Sequence, residues 1–252
     1  MTDRWRVGAN LATLANGLLG VGAVLYTLAG NKLWAMLLVV MAIGFDGLDG
    51  LLSRRSPRPP SPFGRVADSV ADAVSFGLAP AVMLAVHTSD AALWAPYATL
   101  TAALAAGYLA AAIGRLAYFT ARAHGLPHFL GIPTPQSALA VVVLLLFLDT
   151  PGYAGVLPVG FLVVASVLAV LMVLPIPYPK VRRGSKLRLP SAVTAGLAAL
   201  TLIPLQFRPS AGSLVATTAE VGALGFLVGV AVYYVAGPFT VPRPAPAEGK
   251  GP

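Results

Sequence analysis

Four aspartates lie close together in the sequence, inside segments that are otherwise apolar. They form two pairs, Asp46 with Asp49 and Asp68 with Asp72, and they are four of the nine acidic residues in the 252-residue chain. Spacings of three and four residues place the members of each pair on one face of a helix. Because a lone carboxylate inside a membrane helix costs several kcal/mol, this placement calls for a cation.

The segment between the two pairs predicts how they meet. It contains four prolines that cannot continue a helix, so we expect two antiparallel helices joined by a tight polar turn. Asp46 lies eight residues before Arg54, and Asp72 lies eight residues after Gly64. Both would therefore lie about 12 Å beyond the turn, at about 1.5 Å of rise per residue. Asp49 and Asp68 would face each other one turn nearer the water.

Converging carboxylates repel one another unless hard divalent cations lie among them, and ligands of this type favour Mg²⁺ or Mn²⁺. Three glycines beside the acids leave room for a bulky phosphate group near the backbone: Gly47, Gly50 and Gly64. The acids alone leave two classes open. One is a metal-dependent enzyme that acts on phosphates, and the other is a transporter with an ion pathway.

The composition predicts an all-α, polytopic integral membrane protein built as a helical bundle. Hydrophobic residues make up 57% of the chain, charged residues 10%, and the mean hydropathy is +0.80, values outside the globular range. Two of the eight apolar stretches are short for a span, so we expect six to eight transmembrane helices. The stretches cover residues 10–30, 33–54, 63–87, 91–119, 135–148, 155–174, 190–205 and 214–235.

The basic residues predict the orientation. With the amino terminus inside, fifteen of the 17 lysines and arginines fall on the inner side, and only Lys32 and Arg208 fall outside. This bias predicts a cytoplasmic acidic turn in the cell membrane, and it attributes the net charge of +8 to topology and anionic lipids rather than to nucleic acid. We expect one membrane domain over residues 1–237 and a disordered cytoplasmic tail over residues 238–252.

The acidic stretch resembles the signature of the CDP-alcohol phosphatidyltransferases. That signature reads Asp, two residues, Asp-Gly, two residues, Ala-Arg, a short gap, Gly, three residues, Asp, three residues, Asp. Ser53 replaces the usual Ala, and nine residues rather than eight separate the Arg from the second Gly, but neither change removes a polar ligand. The matching positions are Asp46, Asp49, Gly50, Arg54, Gly64, Asp68 and Asp72.

Other blocks are similar to the membrane-type phosphatidylserine synthases of this family. They cover residues 10–20, 61–81, 128–138 and 174–182. A further block begins at Arg115, where these synthases often carry Arg-Leu-Ala-Arg-Phe-Asn. This chain instead has Tyr118 in place of the second Arg and Thr120 in place of the Asn.

The resemblance implies a membrane enzyme, a homodimer, that transfers a phosphatidyl group from CDP-diacylglycerol to L-serine and releases CMP. It implies two Mg²⁺ or Mn²⁺ ions, with Asp72 both a ligand and the base toward the acceptor hydroxyl. The alternatives are another acceptor, such as glycerol 3-phosphate or inositol phosphate, and, in another class, a cation transporter. The remaining implied roles are metal ligation by Asp46, Asp49 and Asp68, binding of the cytidine diphosphate by Gly50, Arg54, Gly64 and Asp68, and acceptor binding by Arg115.

Overall fold

The computed structural model describes residues 3–57, 61–87, 95–122, 128–148, 158–179 and 235–240. These residues are mostly helical, with one short strand pair, which confirms the predicted all-α class. The helices are α1 (Arg4–Leu28), α2 (Lys32–Ser53), α3 (Pro62–Asp72), α4 (Ala79–His87), α5 (Ala98–Arg122), α6 (Thr134–Leu148) and α7 (Pro158–Val173).

The first two helices form a tight hairpin. Asp3 caps α1 by accepting a hydrogen bond from the Trp5 amide at 3.1 Å. The hairpin turn contains Gly30, whose φ of +75° is the left-handed conformation that glycine adopts without strain. Helix α2 begins two residues later, so α1 and α2 pack along their lengths.

The third apolar segment is one continuous helical rod with a wide turn in its middle. Ser61 caps it by accepting a hydrogen bond from the Gly64 amide at 3.0 Å, and Pro62 follows at the first helical position. Helix α3 ends at Asp72, residues 73–78 form a π-helical turn, and α4 continues from Ala79. Turns of this kind are rare and often lie at functional sites.

A pair of short strands joins the beginning of α6 to the end of α7. Strand β1 (His128–Leu130) runs antiparallel to β2 (Pro177–Pro179), with Phe129 opposite Tyr178. Next to the pair, the Gly131 amide donates to the carbonyl of Ile176 at 2.9 Å. This strand pair was not predicted from the sequence.

The core of the bundle lies between the π-helical turn, α5 and α6. Phe76, Tyr108 and Val141 are fully buried there, and the Tyr108 hydroxyl donates to the Phe76 carbonyl at 3.1 Å. By contrast, Leu11 and Leu18 on the outer face of α1 are about three-fifths exposed. Apolar side chains exposed along one helix face are expected where a helix contacts lipid.

Four helical segments of the described residues are long and apolar enough to cross a membrane: 4–28, 32–53, 62–86 and 98–121. Helices α6 and α7 are apolar but shorter, and they correspond to the predicted fifth and sixth stretches, of which only the fifth was expected to be short. The predicted seventh stretch and residues 214–234 of the eighth lie outside the described residues, as do residues 241–252 of the predicted tail. Residues 237–240 form a 3₁₀ turn that contacts β2.

Candidate active site

The four aspartates converge. Oxygen atoms of Asp46, Asp68 and Asp72 all lie within 4.8 Å of one another. Asp49 is a close neighbour of Asp68, as the expected depths along the two helices require. Asp49 and Asp72 are both buried, each with 8% of its surface exposed. We call these four residues the acid cluster.

The two helices that carry the acid cluster are held mainly by a third helix. Helix α1 packs against α2, against α3 and against the π-helical turn. Helices α2 and α3 approach each other through their aspartate side chains, and their backbones stay farther apart. Helix α1 therefore contributes most of the close helix packing that holds the antiparallel pair expected from the sequence.

Helix α1 also supplies hydrogen bonds to the acid cluster. Thr13 donates from its hydroxyl to an Asp49 carboxylate oxygen at 2.7 Å, and the Asn16 amide donates to Asp72 Oδ1 at 2.9 Å. Both donors lie in the 10–20 block, but sequence reasoning did not single out Asn16. A polar residue three positions after Thr13, inside an apolar helix, was the signal available. Asn10 is exposed.

Two arginines attract Asp46 electrostatically, and they reach it from different helices. Arg54 caps the end of α2 and is exposed, while Arg115 belongs to α5 and is only 9% exposed. Gly50 lies one turn before Arg54, and a β-carbon there would come 3.3 Å from the guanidinium. The glycine thus leaves space for Arg54 to fold back along α2.

Arg115 connects the acid cluster to the first turn of α6. Its guanidinium donates to the Thr134 hydroxyl at 2.5 Å, and Thr134 is fully buried. Ser137 lies one turn along α6, and its buried hydroxyl has no hydrogen-bond partner among the described residues. We call Arg115, Thr134 and Ser137 the basic pocket.

The two departures from the synthase block fall at different places. Tyr118 is 49% exposed, so the missing second Arg corresponds to an outer position of α5. Thr120 hydrogen bonds with Ser69 at 2.5 Å and ties α5 to α3 one residue after Asp68. The Thr120 side chain therefore has a packing role beside the acid cluster.

Gly64 lies one turn before Asp68. Its amide donates to the Ser61 cap, and a β-carbon at this position would come 3.2 Å from the Ser61 hydroxyl oxygen. Close capping at the start of α3 is one physical reason for a glycine here. The half-buried position beside the acids also leaves the backbone open to a ligand.

The chemistry of the donor set fits hard divalent cations. The three converging groups are all carboxylates, which Mg²⁺ and Mn²⁺ prefer, and their spacing suits ions that share ligands. The two arginines that act on Asp46 leave the acid cluster net negative. A cation is thus the natural partner for these residues.

Known proteins share this sequence pattern. A CDP-diacylglycerol–serine O-phosphatidyltransferase of Helicobacter pylori is 32% identical over 182 residues, which cover 69% of this chain and 72% of the relative. One of Bacillus subtilis is 31% identical over 134 residues, 53% of this chain and 72% of the relative. An archaetidylserine synthase of Methanothermobacter thermautotrophicus is 28% identical over 173 residues, 68% of this chain and 69% of the relative.

The family model described as CDP-alcohol phosphatidyltransferase matches residues 6–175. This range includes the acid cluster, both arginines that act on it and the two α1 donors. Membership favours an enzyme over the alternative of an ion pathway in a transporter. The chain belongs to the CDP-alcohol phosphatidyltransferase family.

Proposed function

We propose that this enzyme transfers the phosphatidyl group of CDP-diacylglycerol to the hydroxyl of L-serine, which gives phosphatidylserine and CMP. The observation that carries the proposal is the convergence of Asp46, Asp68 and Asp72 within 4.8 Å, inside the stretch that matches the family. The relatives named as serine O-phosphatidyltransferases support serine as the acceptor.

We assign Asp46, Asp49, Asp68 and Asp72 as the ligands of two divalent ions, Mg²⁺ or Mn²⁺. Bound there, the ions would neutralise the diphosphate of the donor and polarise its phosphoryl oxygens. The burial of Asp49 and Asp72 supports this role, because carboxylates taken out of water need compensating charge.

Asp72 is the proposed base. The serine hydroxyl oxygen forms a bond to the phosphorus that carries the diacylglycerol, the bond from that phosphorus to the CMP oxygen breaks, and the hydroxyl proton passes to Asp72. CMP leaves with the electron pair of the broken bond. Gly50, Arg54, Gly64 and Asp68 line the cytidine diphosphate, and Arg54 offers its guanidinium to phosphate oxygens.

The basic pocket is the proposed place for the serine carboxylate. Arg115 presents a guanidinium that matches a carboxylate in geometry, and it reaches Asp46 electrostatically, so a carboxylate bound there lies beside the reacting groups. The Ser137 hydroxyl, which has no hydrogen-bond partner within the described part of the chain, offers a second donor. An acceptor that already carries a phosphate would need additional basic residues, and Arg115 is the buried arginine of the described residues.

We place the enzyme in the cytoplasmic membrane as a homodimer, with the acid cluster on the cytoplasmic side. The excess of basic residues on that side supports the orientation. The lipid donor would then enter laterally with its tails in the bilayer, while serine arrives from the cytoplasm.

An acceptor panel tests the proposal. Purified protein receives CDP-diacylglycerol, Mg²⁺ or Mn²⁺, and L-serine, glycerol 3-phosphate or inositol phosphate in turn, and CMP release is measured. We expect release with serine and formation of phosphatidylserine. Release with only one of the other acceptors would overturn the assignment of serine. No release with any acceptor, combined with cation flux in liposomes, would overturn the enzymatic assignment itself.

A further inference from the structure

Helix α1 touches the acid cluster at two points, and the contact with Asp72 is the more elaborate one. Asn16 is fully buried in the middle of α1, and its Nδ2 donates to Asp72 Oδ1 at 2.9 Å. Asn16 Oδ1 is also buried, and it has no hydrogen-bond partner among the described residues. A buried amide that satisfies only one end is costly, so stability alone would favour an apolar residue here.

The backbone of Asn16 is fixed to the residues that follow Asp72. The Ser75 hydroxyl donates to the Asn16 carbonyl oxygen at 2.7 Å, and Ser75 lies in the π-helical turn. Gly20, one turn along α1, makes this approach possible, because a β-carbon there would come 2.7 Å from Ser75 Cα. The segment around Asp72 is therefore held to α1 both through the Asp72 carboxylate and through the Ser75 side chain, three residues later.

We propose that Asn16 is a positioning residue for Asp72, an inference that rests on the proposed function. The amide binds one carboxylate oxygen and so fixes the rotation of the carboxylate. The other oxygen then stays available to the acid cluster and the acceptor hydroxyl. Because the amide is neutral, it orients Asp72 without supplying the positive charge that a cation brings.

The test is kinetic and uses the full-length enzyme. Asn16→Ala removes the donor, and Asn16→Asp keeps the size of the side chain while replacing the amide donor with a carboxylate. We expect kcat to fall about 10- to 100-fold in both variants, with the KM for CDP-diacylglycerol within about threefold of the unchanged enzyme. The Asn16→Ala variant should still bind Mn²⁺, measured by electron paramagnetic resonance, because the four carboxylates remain.

Two neighbouring variants separate positioning from structure. Ser75→Ala removes the backbone tie but leaves the Asn16 amide on Asp72, so the melting temperature should fall while kcat falls less than about threefold. Gly17→Ala places a β-carbon 3.4 Å from Ala71, which is an ordinary contact. This variant should change neither the melting temperature nor kcat.

The inference is overturned if Asn16→Ala keeps its kcat, or if Asn16→Ala and Ser75→Ala lose kcat and melting temperature in the same proportion. The proposed function is tested separately, by the acceptor panel with the unchanged enzyme. If that enzyme prefers another acceptor, the comparison of variants is made with that acceptor and the inference is still tested. If that enzyme releases no CMP with any of the acceptors, the inference falls together with the proposed function.

Discussion

The acid cluster has two sides that are built differently. On the α1 side, Thr13 and Asn16 bind Asp49 and Asp72 directly through short, neutral donors. On the side of α5 and α6, the contact is electrostatic, because Arg115 attracts Asp46 while its guanidinium hydrogen bonds to Thr134. The first side fixes where the carboxylates point, and the second side supplies charge.

This difference assigns separate tasks to the two sides. Neutral donors orient a carboxylate and leave its negative charge for a cation and for proton transfer. A guanidinium at the edge of the acid cluster can bind a substrate anion, because Arg carries five N–H groups in a planar fork that matches a carboxylate. We therefore expect variants on the α1 side to affect mainly turnover, and variants in the basic pocket to affect the acceptor.

The largest effect is expected from Asp72→Asn, which removes the proposed base. Turnover should fall by about a thousandfold or more, because general base catalysis is lost and a metal ligand is weakened. Binding of CDP-diacylglycerol should stay largely intact, measured as retention of the labelled donor. Asp3→Asn is the matched control, since Asp3 caps α1 outside the acid cluster. Near-normal turnover in the Asp72 variant would remove Asp72 from this role.

Arg115→Met tests the charged side. Loss of a charge-assisted contact to the serine carboxylate should raise the KM for serine about 10- to 100-fold, with a smaller change in the KM for CDP-diacylglycerol. Arg54→Met is the control, and it should raise the KM for CDP-diacylglycerol more than the KM for serine. If both variants raise the same KM, the division between the two arginines is wrong.

Thr13→Val tests the other α1 contact, since the shape of the side chain is kept and the hydrogen bond to Asp49 is lost. Turnover should fall about three- to tenfold, and Mn²⁺ affinity should fall with it, because Asp49 is a proposed ligand. Thr27→Val is the control on the same helix, where the hydroxyl bonds to the Ala23 carbonyl. If Thr13→Val and Thr27→Val lose turnover and Mn²⁺ affinity equally, α1 acts only through its packing.

The smallest effect is expected from Gly50→Ala. The added methyl group would come 3.3 Å from the flexible Arg54 side chain, which can move away, so the KM for CDP-diacylglycerol should rise only about two- to fourfold. Gly44→Ala, on the same helix, meets nothing within 4 Å and should have no effect. An unchanged KM in Gly50→Ala would separate Gly50 from donor binding.

The sequence predicted the helices and the meeting of the acids, because both follow from local patterns. Apolar runs determine where α2 and the rod from α3 to α4 lie, and spacings of three and four residues determine which acids share a face. The packing of α1 against both α2 and α3 involves residues along many turns, which no local pattern encodes. The contact of Asn16 with Asp72 follows from that packing.

The strand pair and the π-helical turn could not be predicted from the sequence either. Pro177 and Pro179 have no amide hydrogen to donate to a strand partner, so local preference argues against β2. The strand forms because its partner, β1, is brought to it by α6 and α7. Residues 73–78 read as an ordinary apolar helix, and the wide turn follows from how the rod packs on α1 and α5.

The most direct test of the account is the number of Mn²⁺ ions that the purified protein binds, measured by electron paramagnetic resonance titration. The account predicts about two ions per chain in the unchanged protein. It also predicts loss of this binding when Asp46 and Asp68 are both replaced by Asn. Absence of Mn²⁺ binding by the unchanged protein, or binding that survives the double replacement, would contradict the claim that the acid cluster is a metal site.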